Sequence, residues 1–105
     1  MLVVDDNALN RDMLSRRLRR RDYEVVVAED GESALRILAD TPIDLVLLDW
    51  MMPGLSGIDV LNRIRATHSQ VQMPVIMATA KTEAEDIVEA LRAEANDYVT
   101  KPLNF

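Results

Sequence analysis

Residues 44–54 read Asp44-Leu45-Val46-Leu47-Leu48-Asp49-Trp50-Met51-Met52-Pro53-Gly54. Four aliphatic residues in a row deliver one carboxylate, Asp49, and the chain then turns on Pro-Gly. A strand this apolar is the kind that is covered on both faces, which is characteristic of parallel sheets. Asp also ends strands and opens turns on its own account. The role of Asp49 therefore depends on what the rest of the chain brings to the same place.

Outward from this stretch the pattern alternates. Met1–Val4 is a short apolar run ending in Asp5-Asp6-Asn7. Met13, Leu14 and Leu18 then recur at helical spacing, predicting an amphipathic helix over about 7–21. Residues 24–28 are β-branched and strand-like. Asp30-Gly31 is a turn signal and a plausible cap for a helix carrying Ala34, Leu35 and Leu38 to about Asp40. Past Pro53-Gly54, Ile58, Leu61 and Ile64 mark a third helix of about two turns. Pro74–Ala78 is a fourth strand. Thr82 to Glu85 has the form of a capping box for a helix carrying Ala84, Ile87, Val88 and Leu91. Asn96–Thr100 is a fifth strand, ended by Lys101-Pro102.

A helix in every gap between strands calls for parallel strands, right-handed crossovers and helices on both faces of one sheet. The expected fold is an open doubly wound α/β domain of five strands. With 105 residues, 49% hydrophobic and 29% charged, the chain fits one domain with one core. No apolar run approaches the ~18 residues of a membrane span. The net charge of −6 argues against autonomous nucleic-acid binding. The absence of cysteine excludes a disulfide framework and makes a reducing cytoplasm the default compartment.

In such sheets function gathers beyond the carboxyl ends of the strands, at the topological switch point. Reading the residue just past each strand gives Asp5 and Asp6, then Asp49, Thr79 and Lys101. Three carboxylates sharing a pocket repel one another. At ~4 Å and an effective dielectric near 20, each pair costs about 4 kcal/mol. One lysine cannot neutralise three acids. A divalent cation can, and oxygen donors without His or Cys suit Mg²⁺ better than Zn²⁺. Mg²⁺ commonly completes its shell with phosphate, which points to phosphoryl transfer. In that chemistry Asp49 is the candidate nucleophile, Asp5 and Asp6 hold the metal, and Lys101 and Thr79 each meet a phosphoryl oxygen.

The Asp5-Asp6 pair, Asp49 with Met52-Pro53-Gly54, Thr79-Ala80 and Tyr98-Val99-Thr100-Lys101-Pro102 together resemble the receiver domain of two-component response regulators. The resemblance runs over the whole chain. It implies a flavodoxin-like sheet of order 2-1-3-4-5 and phosphorylation of Asp49 by the phosphohistidine of a histidine kinase or phosphotransfer protein. It implies Mg²⁺ held by Asp6, Asp49 and the main-chain carbonyl of Met51, with Asp5 acting through water, and a cis peptide at Lys101-Pro102. The family's switch falls on Thr79 and Tyr98, whose side chains respond to a phosphoryl group on Asp49. Plain structural readings stand beside these roles: Tyr98 as a strand aromatic, Thr79 as the residue before a helix and Lys101 as a solvated strand end.

On this reading the chain is a signalling switch limited to self-directed phosphotransfer and autodephosphorylation, with its output in another domain or protein. The rival reading is a pseudo-receiver that works only through protein contact or dimerisation. A phospho-aspartate hydrolase of the dehalogenase type needs a second Asp two residues after the nucleophile, where this chain has Met51. A flavin protein needs a hydroxyl-rich phosphate loop after the first strand.

The remaining features are weighed against simpler readings. The basic run Arg16–Arg21 is expected as a solvated helix face near a helix carboxyl end. His68 is expected exposed, and the six methionines are expected to fill the core. Two departures from the family pattern fall at Asp22 and Glu94, where glycine is usual and the left-handed conformation is expected. Receiver domains also continue past Lys-Pro into a fifth helix. A chain ending at Phe105 is thus expected to lack that C-terminal helix and to expose an apolar face able to form a homodimer.

Overall fold

The computed structural model describes residues 1–79 and 84–101, with backbone alone for 84–87. Five strands, β1 (Leu2–Val4), β2 (Val26–Ala28), β3 (Val46–Asp49), β4 (Val75–Thr79) and β5 (Asp97–Thr100), alternate with four helices. The helices are α1 (Ala8–Arg20), α2 (Gly31–Asp40), α3 (Gly57–Arg65) and α4 (Ala84–Arg92). All strand pairs are parallel and the sheet order is β2-β1-β3-β4-β5. This is the doubly wound order that the alternation and the resemblance imply.

The strands sort by cover. β1 and β3 are buried throughout and β4 nearly so, as their apolar runs require. Alternate side chains then serve opposite faces. Leu2, Val4, Val46, Leu48, Val75 and Met77 pack with Ala34 of α2, Val60, Leu61 and Ile64 of α3 and Ala90 of α4. Val3, Leu47 and Ala78 pack on the other side with Leu14 and Leu18 of α1. Ile76 and Val99 on that second face are half-buried. The expected loss of a C-terminal helix, the Lys101-Pro102 peptide and the Thr82 capping box lie outside the described residues.

Local signals account for most boundaries. Asn7 caps α1, its side chain accepting from the Asn10 N–H, and Asp30 caps α2 through the Ser33 N–H. Ser56 and Asp59 form a reciprocal capping box on α3, a second such signal that the pattern search passed over. Two expectations differ from what is observed. β2 begins at Val26 rather than near Glu24, because it is an edge strand whose first residues lead in from a turn. The methionines divide: Met52, Met73 and Met77 are buried, whereas Met13 and Met51 face solvent. The basic run is solvated as expected, but Arg19 donates to the Val25 carbonyl at 3.0 Å and so occupies an acceptor at the start of β2.

Among the described residues, Asp22 and Glu94 are the non-glycine residues with positive φ, 68° and 65°. The Cβ of an L-residue crowds the following carbonyl in this conformation, at a cost of roughly 1–2 kcal/mol. Asp tolerates it better than Glu, so Glu94 carries more of the strain. Glu94→Gly is therefore expected to stabilise the protein by about 1 kcal/mol, which raises Tm by roughly 4–8 °C in a domain of this size. Thermal scans followed by circular dichroism check this; an unchanged or lower Tm would show that no strain is stored there.

Candidate functional site

Beyond the carboxyl ends of the central strands the chain assembles an acidic pocket. β1 runs directly into Asp5 and Asp6, β3 ends on Asp49, and β5 ends just before Lys101. Ligand oxygens of Asp5, Asp6 and Asp49 all lie within 4.8 Å of one another. Asp5 and Asp49 are buried and Asp6 is exposed, so the cluster opens to solvent on one side. The Lys101 ammonium lies 2.8 Å from Asp49 Oδ1 and 3.3 Å from Asp5 Oδ2. Four residues from three separate parts of the chain thus share one space.

The first loop is ordered by its own hydrogen bonds. Asp5 Oδ1 accepts from the Asn7 N–H at 2.9 Å, and the Asp5 carbonyl accepts from the Arg11 guanidinium at 2.8 Å. Asp49 is fixed by its strand, since the next residue, Trp50, donates its N–H to the Ala78 carbonyl at 3.0 Å. The turn after Asp49 closes when the Gly57 N–H donates to the Trp50 carbonyl at 2.8 Å. A Cβ on Gly57 would collide with the Asp49 carbonyl and lie 2.8 Å from the Trp50 Cα. Glycine at this position is a condition for the turn beneath the acid, and its only local signal is the Ser56-Gly57 pair.

The other candidate residues stand as follows. Thr79 is buried at the end of β4, and its carbonyl accepts the Lys101 N–H at 2.9 Å. Met51 lies two residues past Asp49 with its side chain 60% exposed. Tyr98 pairs in register with Met77 and packs, half-buried, against the core cluster shared with α2 and α3. It is therefore on the same sheet face as Met77, away from the α1 side. His68 is exposed and far down the opposite end, after α3. Arg65, which the sequence reading did not single out, makes the largest set of side-chain hydrogen bonds described, at the other end of the sheet.

The charges in the pocket are strained. Burial pushes the Asp49 carboxyl above its ordinary value; the Lys101 contact pulls it down, and the neighbouring Asp5 and Asp6 push it up again. For Lys101, burial alone would lower the pKa, but the hydrogen bond and charge of Asp49, with Asp5, raise it overall. The lysine stays an ammonium while the acids remain short of positive charge. Oxygen donors this close together, one of them open to solvent, suit a small hard divalent cation.

A family model for the response regulator receiver domain matches residues 1–105. The chain belongs to the response regulator receiver domain family of two-component systems. It is 40% identical over 104 residues to the phosphate regulon transcriptional regulatory protein PhoB of Pseudomonas aeruginosa, covering 99% of this chain and 45% of that protein. With the DNA-binding response regulator MtrA of Mycobacterium tuberculosis it shares 43% identity over 102 residues, or 97% and 43% of the two chains. It thus spans under half the length of these relatives. Among solved structures, TrrA of Thermotoga maritima in complex with Mg²⁺-BeF superposes with a TM-score of 0.87 at 38% identity, covering 99% of this chain and 87% of that one. The chemotaxis protein CheY4 of Vibrio cholerae gives 0.89 at 32% identity, covering 98% and 86%.

The Asp49 shift has a consequence for stability. A carboxyl whose folded pKa exceeds its unfolded value destabilises the fold as pH rises from the ordinary carboxylate range through the raised value, and the penalty is complete above it. Asp49→Asn removes that penalty. In chelator, the Asn variant is expected to melt above the wild type at pH 7, with the gap narrowing toward pH 4. Melting curves across that range decide the matter, and a gap that stays constant or reverses excludes the ionisation penalty.

Proposed function

We propose that the chain is a phosphoryl-accepting switch in which Asp49 takes the phosphoryl group of a histidine kinase or phosphotransfer protein. The observation that carries this reading is the Lys101 ammonium 2.8 Å from Asp49, within a cluster of three carboxylates. In the transfer a carboxylate oxygen of Asp49 attacks phosphorus, the P–N bond to the donor histidine breaks, and the imidazole nitrogen leaves with the electron pair and takes up a proton. Burial raises the Asp49 pKa, and the Lys101 ammonium offsets part of that cost to the carboxylate that attacks. Lys101 stays beside the acceptor and neutralises charge on the phosphoryl oxygens. The Thr79 hydroxyl, at the end of the neighbouring strand, donates to another of these oxygens.

Mg²⁺ is the cation the site suits: Asp6, Asp49 and the Met51 main-chain carbonyl would hold it, with Asp5 through water, and it would supply charge neutralisation to the transferring group. The buried strands keep Asp49 and Asp5 from relaxing apart. Thr79 and Tyr98 then form the readout: a hydroxyl drawn toward the phosphoryl group favours one packing of Tyr98 over the other, which is a population shift between two states. No external metabolite is turned over, and the only reactions are phosphorylation of Asp49 and hydrolysis of the product. The output lies in a further domain or partner, as the names of PhoB and MtrA, a transcriptional regulatory protein and a DNA-binding response regulator, indicate for those longer proteins.

Trp50, buried and adjacent to Asp49, gives a native signal for the test. Titration with Mg²⁺ and then beryllofluoride is expected to change its fluorescence in two steps, and acetyl phosphate is expected to add a single phosphoryl group by intact mass. Asp49→Asn should lose the phosphoryl adduct, and Lys101→Ala should slow its formation roughly 100-fold. A folded wild type that stays unmodified and gives a flat fluorescence trace would replace this reading with that of a contact-only pseudo-receiver.

A further inference from the structure

Lys101 reaches the pocket from β5, and β5 is poorly fixed by its own burial. It is an edge strand bonded to β4 alone, and none of its four residues is fully buried. Register in a sheet is normally set by which side chains must be inside, and such a strand specifies it weakly. A slip of one residue would move Lys101 by about 3.3 Å along the strand and turn each side chain to the opposite face. The Lys101–Asp49 contact is only 2.8 Å, so one slip removes it.

Something else has to set the register, and it stands at the far end of the strand. The Asn96 N–H donates to the Val75 carbonyl, and its side-chain oxygen accepts from the Val75 N–H, both at 2.9 Å. The same oxygen accepts from Arg65 at 2.9 Å, while the Asn96 amide nitrogen donates to the Gln70 carbonyl at 3.1 Å. Arg65, the last residue of α3, also donates to the carbonyls of Glu94 at 2.8 Å, Met73 at 2.7 Å and Ser69 at 3.2 Å. One planar guanidinium therefore joins the α3–β4 connection to the α4–β5 turn, a task its fixed fork of donors suits. A slip would bring Asp97 into the Asn96 position, and a carboxylate has no proton to give Gln70.

We propose that Arg65 and Asn96 are positioning residues for Lys101: they lock the register of β5 at one end of the sheet and so place the ammonium at the other. The proposal rests on the phosphoryl-acceptor reading. It separates two quantities that general destabilisation would move together. The acids come from β1 and β3, so displacing Lys101 takes a positive charge away from them and does not weaken cation binding, whereas phosphoryl transfer needs Lys101.

The test uses the 105-residue chain with Arg65→Met, Arg65→Lys and Asn96→Ala. Mg²⁺ affinity is read from Trp50 fluorescence, and the rate of Asp49 phosphorylation by acetyl phosphate is read at saturating Mg²⁺. Arg65→Met is expected to leave the Mg²⁺ Kd unchanged or tighter, because the acid cluster stays intact and loses a competing ammonium. The rate should fall on the order of 10- to 100-fold, the scale of a misplaced catalytic group. Arg65→Lys should recover part of the rate, and Arg65→Met should add little in a Lys101→Ala background. Wild-type rates in the Met variant, Mg²⁺ affinity and rate falling in parallel, or fully multiplicative loss with Lys101→Ala would each overturn the proposal. Should Arg65→Met not fold, Asn96→Ala and Arg65→Lys decide by the same criteria. If the wild type accepts no phosphoryl group, the function reading fails by itself. The register claim is then judged by hydrogen exchange at the Lys101 amide, bonded to the Thr79 carbonyl at 2.9 Å. Faster exchange there in Arg65→Met, with β1 and β3 unchanged, supports it, and unchanged exchange overturns it.

Discussion

The structure turns on a repulsion that the fold does not allow to relax. Asp5 and Asp49 sit at the ends of neighbouring central strands, buried by layers of helix on both faces, with Asp6 beside them at the surface. Like charges this close would part if they stood on loops alone. Here β1 and β3 are hydrogen-bonded in register and covered on both sides, so the acids keep their separation and the free energy cost is carried by the packed core. The Lys101 ammonium offsets part of it. What remains is an affinity for positive charge, which is the property a cation-binding pocket requires.

How much of this could be read from the sequence depended on how local its cause is. β1, β3 and β4 announce themselves because strands covered twice must be apolar throughout, and the rim residues follow by reading one position beyond each strand. Asp22 and Glu94 were legible as left-handed positions because a helix that ends in a tight turn needs a particular φ, whatever its surroundings. β2 was placed too early, since an edge strand has no second neighbour to sharpen its limits. Met13 and Met51 were assigned to the core on hydrophobicity alone, yet a helix face and a turn put them outside.

The residues that escaped altogether have partners set by tertiary structure. Arg65 read as one more cation on an amphipathic helix. Its value lies in carbonyls contributed by residues up to Glu94, whose positions only the folded sheet defines. Asn96 likewise looked like a strand-opening residue, and nothing in its neighbourhood in sequence reveals that its side chain doubles as a strand partner for Val75. Gly57 is required by the approach of a backbone segment, and a glycine's reason for being small is visible only in what passes beside it.

The contact between Lys101 and Asp5 spans 96 positions of the chain. Closing a loop of that length carries an entropic cost that nearer contacts do not. On a chain growing from its amino terminus, Asp5, Asp6 and Asp49 are all made before the lysine that eases their repulsion. The pocket is therefore the last part of the domain to become electrostatically comfortable, and a chain able to hold a phosphoryl group there has its whole sheet in place.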